Sequence, residues 1–171
     1  MTINQQPSID HEHYMKLAIE QALKAQDIGE VPVGAIVVDN QGEVIGKGFN
    51  QCITMQDPSL HAEMVAVREA CKRVNNYRLV NTSLYVTLEP CSMCAGLLVH
   101  SRIKNLIFAA TDLKTGAAGS VINLVQHDML NHKVNVIDGV LSNECSGMLS
   151  TFFAMRRDEK KKLKALKKAA N

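Results

Sequence analysis

No apolar run in this chain approaches the roughly 20 residues needed to cross a bilayer as a helix, although 46% of its residues are hydrophobic. A membrane-spanning role is therefore not expected. The opening residues, Met1-Thr2-Ile3-Asn4-Gln5-Gln6, are polar and lack the apolar core of a secretory signal. A disulfide framework is missing too. The five cysteines are an odd number, and Cys52, Cys71 and Cys145 are scattered, as suits a reducing compartment. These three read as small buried apolar residues, and the expected location is the cytoplasm. There is no internal repeat and no linker. At 171 residues the chain is expected to form one domain, residues 1–171, with a substantial core.

Net charge is small, at +2, but unevenly placed. From Arg156 onward there are 8 basic and 2 acidic residues, net +6, which leaves the preceding part at −4. A basic C-terminal helical extension from about residue 156 is expected, able to meet a polyanion or simply to be a solvated face.

Against these absences stands one dense constellation. His61-Ala62-Glu63 is followed by Glu89-Pro90-Cys91-Ser92-Met93-Cys94. His-x-Glu alone is weak, since chance gives about 0.3 such pairs in a chain of this composition. Pro-Cys-x-x-Cys is far more specific, at about 0.003 by chance. Together they offer an imidazole, two thiols and a carboxylate. A structural zinc site normally uses four protein ligands, whereas three leave a position for water. His61, Cys91 and Cys94 are the expected ligands of one zinc ion per subunit, and Glu63 the expected proton carrier. The bland alternatives are a structural zinc knuckle or two buried free cysteines. The pattern matches H-x-E…P-C-x-x-C, the signature of zinc deaminases that act on nucleobases.

Spacing adds geometry. Cys91 and Cys94 are three apart and share a helix face, with Pro90 favouring a helix start. Positive helix-end charge there lowers thiol pKa values. His61 and Glu63 are about 200° apart on an ideal helix. Both serve one site only if His61 lies in or just before the first turn. Zinc held by two thiolates and a neutral imidazole is formally neutral and activates water weakly, so a neighbouring base matters more. The chemistry implied is hydrolytic attack at an amidine carbon with release of ammonia. His11, His13, His100, His127 and His132 lack partners at diagnostic spacing and read as surface or packing residues.

Apolar periodicity predicts helices over 9–28 and 60–74, with a loop at 51–58 between them. Strands are expected at 33–39 and 43–49 around an Asn40-Gln41-Gly42 turn, forming an antiparallel hairpin. Further strands follow at 83–88, 105–110 and about 134–137. A helix over 91–100, a loop over 111–120, a short helical piece and a long helix from Ser142 complete the chain. Gly147 is expected to weaken that helix or mark close approach. This order predicts a three-layer α/β/α sandwich on a central mixed five-stranded sheet.

Beyond the zinc motif, several segments resemble the bacterial tRNA-specific adenosine deaminases of the cytidine deaminase-like superfamily. They are Val31-Pro32-Val33-Gly34-Ala35, Asp57-Pro58, Asn76-Tyr77-Arg78-Leu79, Leu84 to Cys91 and Lys114 to Ser120. The resemblance runs from about His13 to Leu166. It implies conversion of adenosine to inosine at the wobble position of a tRNA anticodon stem-loop, a homodimer, and a flipped base. It also implies substrate contacts by Asn50, Asp112, Phe153 and Arg156. For Asn50 the alternative is a polar turn residue; for Asp112 it is a cap; for Phe152 and Phe153 it is core packing. Departures are small: Phe49 stands where the family often has tryptophan, and the tail is unusually rich in lysine. Two other readings remain open from sequence: a deaminase of a free base or nucleoside such as cytosine, cytidine or guanine, and a non-catalytic RNA-binding zinc module.

Overall fold

The computed structural model describes residues 9–169, so the polar opening segment lies outside the described residues. The elements are α1 (His11–Asp27), β1 (Gly34–Val38), β2 (Val44–Phe49), α2 (Cys52–Met55), α3 (Ala62–Val74), β3 (Ser83–Leu88), α4 (Ser92–His100), β4 (Asn105–Ala110), β5 (Asn135–Ile137) and α5 (Ser142–Ala169). The five strands form one sheet in the order β2-β1-β3-β4-β5. β1 is antiparallel to both β2 and β3, whereas β3, β4 and β5 run parallel. The expected mixed five-stranded sheet is present.

Local chemistry explains the boundaries. Asp10 caps α1 by accepting from the His13 N–H at 3.0 Å, and Gly29, at φ +79°, ends the turn that follows. Between β1 and β2, Asp39 Oδ1 accepts from the Gln41 and Glu43 N–H groups, and Gly42 takes φ +86°. These bonds close the hairpin.

The layers follow from register. Ala35 pairs with Gly48 and Val37 with Gly46, so these four point to one face of the sheet; Gly34 and Ile36 point to the other. Gly46 and Gly48 lie against Ala62, Ala66 and Ala70, one stripe of α3. Gly34 lies against Ala18 and Ala22 of α1. Helices α1 and α3 therefore cover opposite faces, which makes three layers. Alanine stripes against glycine let the backbones approach closely, and all five alanines are fully buried.

Two local expectations are corrected. Residues 51–58 contain the short helix α2, closed by Gln56 in the left-handed region at φ +53°. The helical piece expected between residues 120 and 134 is instead a series of turns. There the Asn123 side chain accepts from the Gln126 N–H, and such local bonds compete with helix. Helix α5 passes straight through Gly147, and a Cβ added there would meet nothing within 4 Å, so that glycine marks no close contact. Cys145 is buried, while Cys52 and Cys71 are half-buried.

Candidate metal centre and active site

The carboxyl ends of parallel strands are where open α/β sheets place ligands, and β3 and β4 deliver the site there. β3 ends at Leu88, the chain passes Glu89 and Pro90, and Cys91 becomes the extended N-cap residue of α4. Cys94, three residues on, is fully buried in the first turn. His61 is the extended N-cap residue of α3, with Glu63 in its first turn. The geometric condition on His61 is met: an N-cap side chain escapes helical periodicity, so it and Glu63 reach one place. Two helix N-termini converge there.

His61 Nδ1 lies 3.6 Å from both Cys91 Sγ and Cys94 Sγ. A tetrahedral zinc with bonds of about 2.05 Å to nitrogen and about 2.3 Å to sulfur places those atoms about 3.55 Å apart. The three ligand atoms all lie within 4.8 Å of one another. This donor set therefore fits zinc in number, type and separation. Without metal the two thiols divide their roles. Hydrogen bonding from Cys94 and then from His61 draws the Cys91 thiol down to about 3. Its partnership with Cys91, and then burial, pushes Cys94 up. The expected lowering thus holds for Cys91 and not for Cys94. His61 is raised, chiefly by its bond to Cys91.

Glu63 is 3% exposed and forms no ion pair among the described residues. Burial pushes its carboxyl up from 4.5 to about 7. It lines a cavity of about 210 Å³ with Val31, Val33, Asn50, His61, Cys91 and Asp112. That is small beside the roughly 300–1,000 Å³ of pockets that enclose whole drug-sized ligands, and suits a single flipped base.

The expected substrate residues separate into two groups. Asn50 and Asp112 line the cavity. Asn50 Oδ1 accepts from the Ala62 N–H at 2.9 Å. Because that partner is a donor, the oxygen must face it, and the amide NH₂ remains as a donor. Asn50 thus also satisfies a free N–H at the start of α3. Burial raises the Asp112 carboxyl, but the Thr115 hydroxyl and the Lys114 and Thr115 N–H groups outweigh it and hold it low. Phe153 and Arg156 are not among the lining residues. Phe153 is 45% exposed on α5, Phe152 is buried, and Arg156 pairs with Glu159 at 3.2 Å. Three of the other histidines make local contacts: His11 with the Tyr85 hydroxyl, His132 with the Ile103 carbonyl, and His127 with the Met129 N–H.

Sequence reasoning missed Glu89, visible only as the residue before Pro90. It is 2% exposed. Its carboxylate accepts from the N–H groups of Asp112, Ala118 and Ser120 at 3.0, 3.1 and 3.0 Å. Glu89 therefore pins both ends of the 111–120 loop beside Cys91. The Ala117 N–H also bonds the Pro90 carbonyl at 2.8 Å. Replacing Glu89 by Gln turns an amide NH₂ toward one of these donors. About 2 kcal/mol of stability should be lost, read by denaturant unfolding, with faster proteolysis confined to the loop. An unchanged unfolding midpoint would show that the pin is not needed.

A family model described as the cytidine and deoxycytidylate deaminase zinc-binding region matches residues 8–110. A tRNA-specific adenosine deaminase of Haemophilus influenzae is 52% identical over 158 residues, spanning 92% of this chain and 91% of that one. The enzyme of the same name from Bacillus subtilis is 49% identical over 157 residues, spanning 92% and 95%. A structure solved in a study of A-to-I editing by tRNA:A34 deaminases at the wobble position superposes with a TM-score of 0.76 at 36% identity, over 80% of this chain and 98% of that chain. Since the family match spans His61, Glu63, Cys91 and Cys94, and the relatives align over nearly the whole length, the chain belongs to the zinc-binding cytidine and deoxycytidylate deaminase family, among its tRNA-specific adenosine deaminases.

Proposed function

We propose that this protein hydrolyses adenosine to inosine at the wobble position of a tRNA anticodon, releasing ammonia. The observation that carries the chemistry is the meeting of three zinc-ligand atoms at a base-sized cavity that His61, Cys91 and the buried Glu63 line. Bound zinc supplies acidification of water at the position that His61, Cys91 and Cys94 leave open. Glu63 accepts a proton there and passes it first to the purine ring nitrogen, then to the departing amine. Burial keeps that carboxyl away from competing solvent and cations. Asn50 offers its NH₂ as a donor to the bound nucleoside, held in place by its bond to the Ala62 N–H. Asp112 and Thr115 also line the cavity, with the Asp112 backbone held by Glu89. Family membership and the 52% and 49% identities to tRNA-specific adenosine deaminases support tRNA over free nucleosides.

The same reading includes a homodimer and a cytoplasmic setting. A largely apolar groove of about 390 Å³ between α3 and α4, lined by Met64, Val67, Cys71, Tyr77 and Leu97, supports the dimer. Of these, Tyr77 is largely exposed. A sedimentation experiment should give twice the 18.8 kDa chain mass. No helix among the described residues is long and apolar enough to cross a membrane.

The deciding assay incubates zinc-loaded protein with an anticodon stem-loop carrying adenosine at the wobble position, and separately with free adenosine, cytidine and guanine. Inosine should appear in the stem-loop alone. Turnover of only the free compounds would overturn the tRNA reading.

A further inference from the structure

The sequence leaves open whether the basic tail is an interaction surface or a solvated face. Helix geometry distinguishes the two. Helix α5 continues to Ala169, and every residue from Phe153 to Lys168 is exposed. At 100° per residue, seven of the eight cations, Arg156, Arg157, Lys160, Lys161, Lys164, Lys167 and Lys168, fall within an arc of about 140°. Only Lys162 lies outside it. Both acids, Asp158 and Glu159, also fall outside. A helix that needed charge only for solubility would have no reason to sort its signs in this way. From Arg156 to Lys168 the basic face runs about 18 Å along the axis.

Composition then narrows the partner. Residues 154–168 hold no aromatic, asparagine, glutamine, serine or threonine. The face therefore has nothing to stack on bases and little to read their edges. Its lysines are flexible point charges, suited to phosphates. A membrane surface fits less well. The apolar side has only Met155, Leu163 and Leu166, and Glu159 projects from the middle of it, so insertion would bury a carboxylate.

We propose that the basic face of α5 beyond Met155 lies along the phosphate backbone of an RNA duplex, the stem that flanks the reacting nucleotide, and binds it without regard to base sequence. The face supplies affinity and leaves chemistry untouched. This rests on the tRNA reading above for its substrate but not for its binding.

The test compares zinc-loaded wild type with the variant carrying Lys160→Gln, Lys164→Gln, Lys167→Gln and Lys168→Gln, none of which lies in the catalytic cavity. Labelled stem-loop binding is measured across a salt series. Each lost phosphate contact lowers the slope of log affinity against log salt by about 0.9 on a duplex, so a drop of about 3.6 is expected for the four substitutions. At moderate salt, KM for the stem-loop should rise about tenfold or more, with kcat unchanged. A single-stranded oligonucleotide of the loop alone should show no change. Scrambling the stem base pairs should leave the loss the same. An unchanged salt slope, an equal loss on the loop-only oligonucleotide, or lost binding to phosphatidylserine vesicles instead of the stem-loop would each overturn the proposal. If wild type binds the stem-loop with the steep slope but deaminates no RNA, the tRNA reading fails and the binding face stands.

Discussion

Glu63→Gln should retain zinc and lose turnover by about 10²–10⁴-fold, the range that positioned proton transfer supplies. Glutamine has nearly the same shape, so the 210 Å³ cavity is kept. His61, Cys91 and Cys94 are untouched, so metal content measured on the purified variant should remain one per subunit. What is lost is the buried carboxylate beside those ligands that is not already engaged by loop N–H groups, as Glu89 is, and with it the proposed carrier between water, ring nitrogen and leaving amine. Turnover within threefold of wild type would show that the proton moves by another route. Stability should move the other way in the metal-free protein. There the carboxyl sits at about 7 instead of 4.5. A raised carboxylate pKa means that ionisation opposes folding, and the penalty develops as pH rises from about 4.5 through about 7. Metal-free Glu63→Gln should therefore unfold at a higher temperature than metal-free wild type at pH 8, with the gap closing at pH 4.

Gly48→Ala should damage both stability and the metal site, although residue 48 touches neither metal nor substrate. A Cβ at this position would sit 2.2 Å from the Ala62 carbonyl oxygen and 2.5 Å from the Ala66 nitrogen. Both are helix backbone, so no side chain can rotate to make room. The first turn of α3 must move away from β2, and that turn carries Glu63, with His61 at its cap. Overpacking of this kind costs about 3 kcal/mol, or about 10 °C in Tm for a domain of this size. Zinc affinity should fall with it, because His61 can no longer keep its separation from the two sulfurs. Calorimetry and metal titration on the same sample read both effects. A variant with wild-type Tm and zinc affinity would show that α3 has slack the structure does not display. The signal was present in the sequence as two glycines inside a strand pattern, Gly46 and Gly48, which mark close backbone approach. Periodicity alone does not say which element approaches.

Much of the fold was legible because its elements are locally consistent. Short apolar runs on either side of the Asn40-Gln41-Gly42 turn mark β1 and β2, and apolar periodicity marks α1. The errors fall where local bonds decide, in α2 and around Asn123. The ligand set was legible because zinc demands few residue types at fixed spacing, and His61 had to be a cap for Glu63 to reach the same ion. Glu89 was not, because a buried acid before proline looks no different from a strand-end acid until the three N–H groups that it binds are brought from 23 to 31 residues away.

The sequence by itself pointed to zinc, and to Glu63 as the proposed proton carrier of a hydrolytic reaction, since those readings rest on donor chemistry and short-range spacing. Tertiary structure decided the rest. It placed Asn50 and Asp112 in the cavity and kept Phe153 and Arg156 from its lining. It buried Glu63 beside the three ligands and fastened the 111–120 loop through Glu89. Each depends on contacts between segments far apart in the chain, and such contacts leave no periodic trace in sequence.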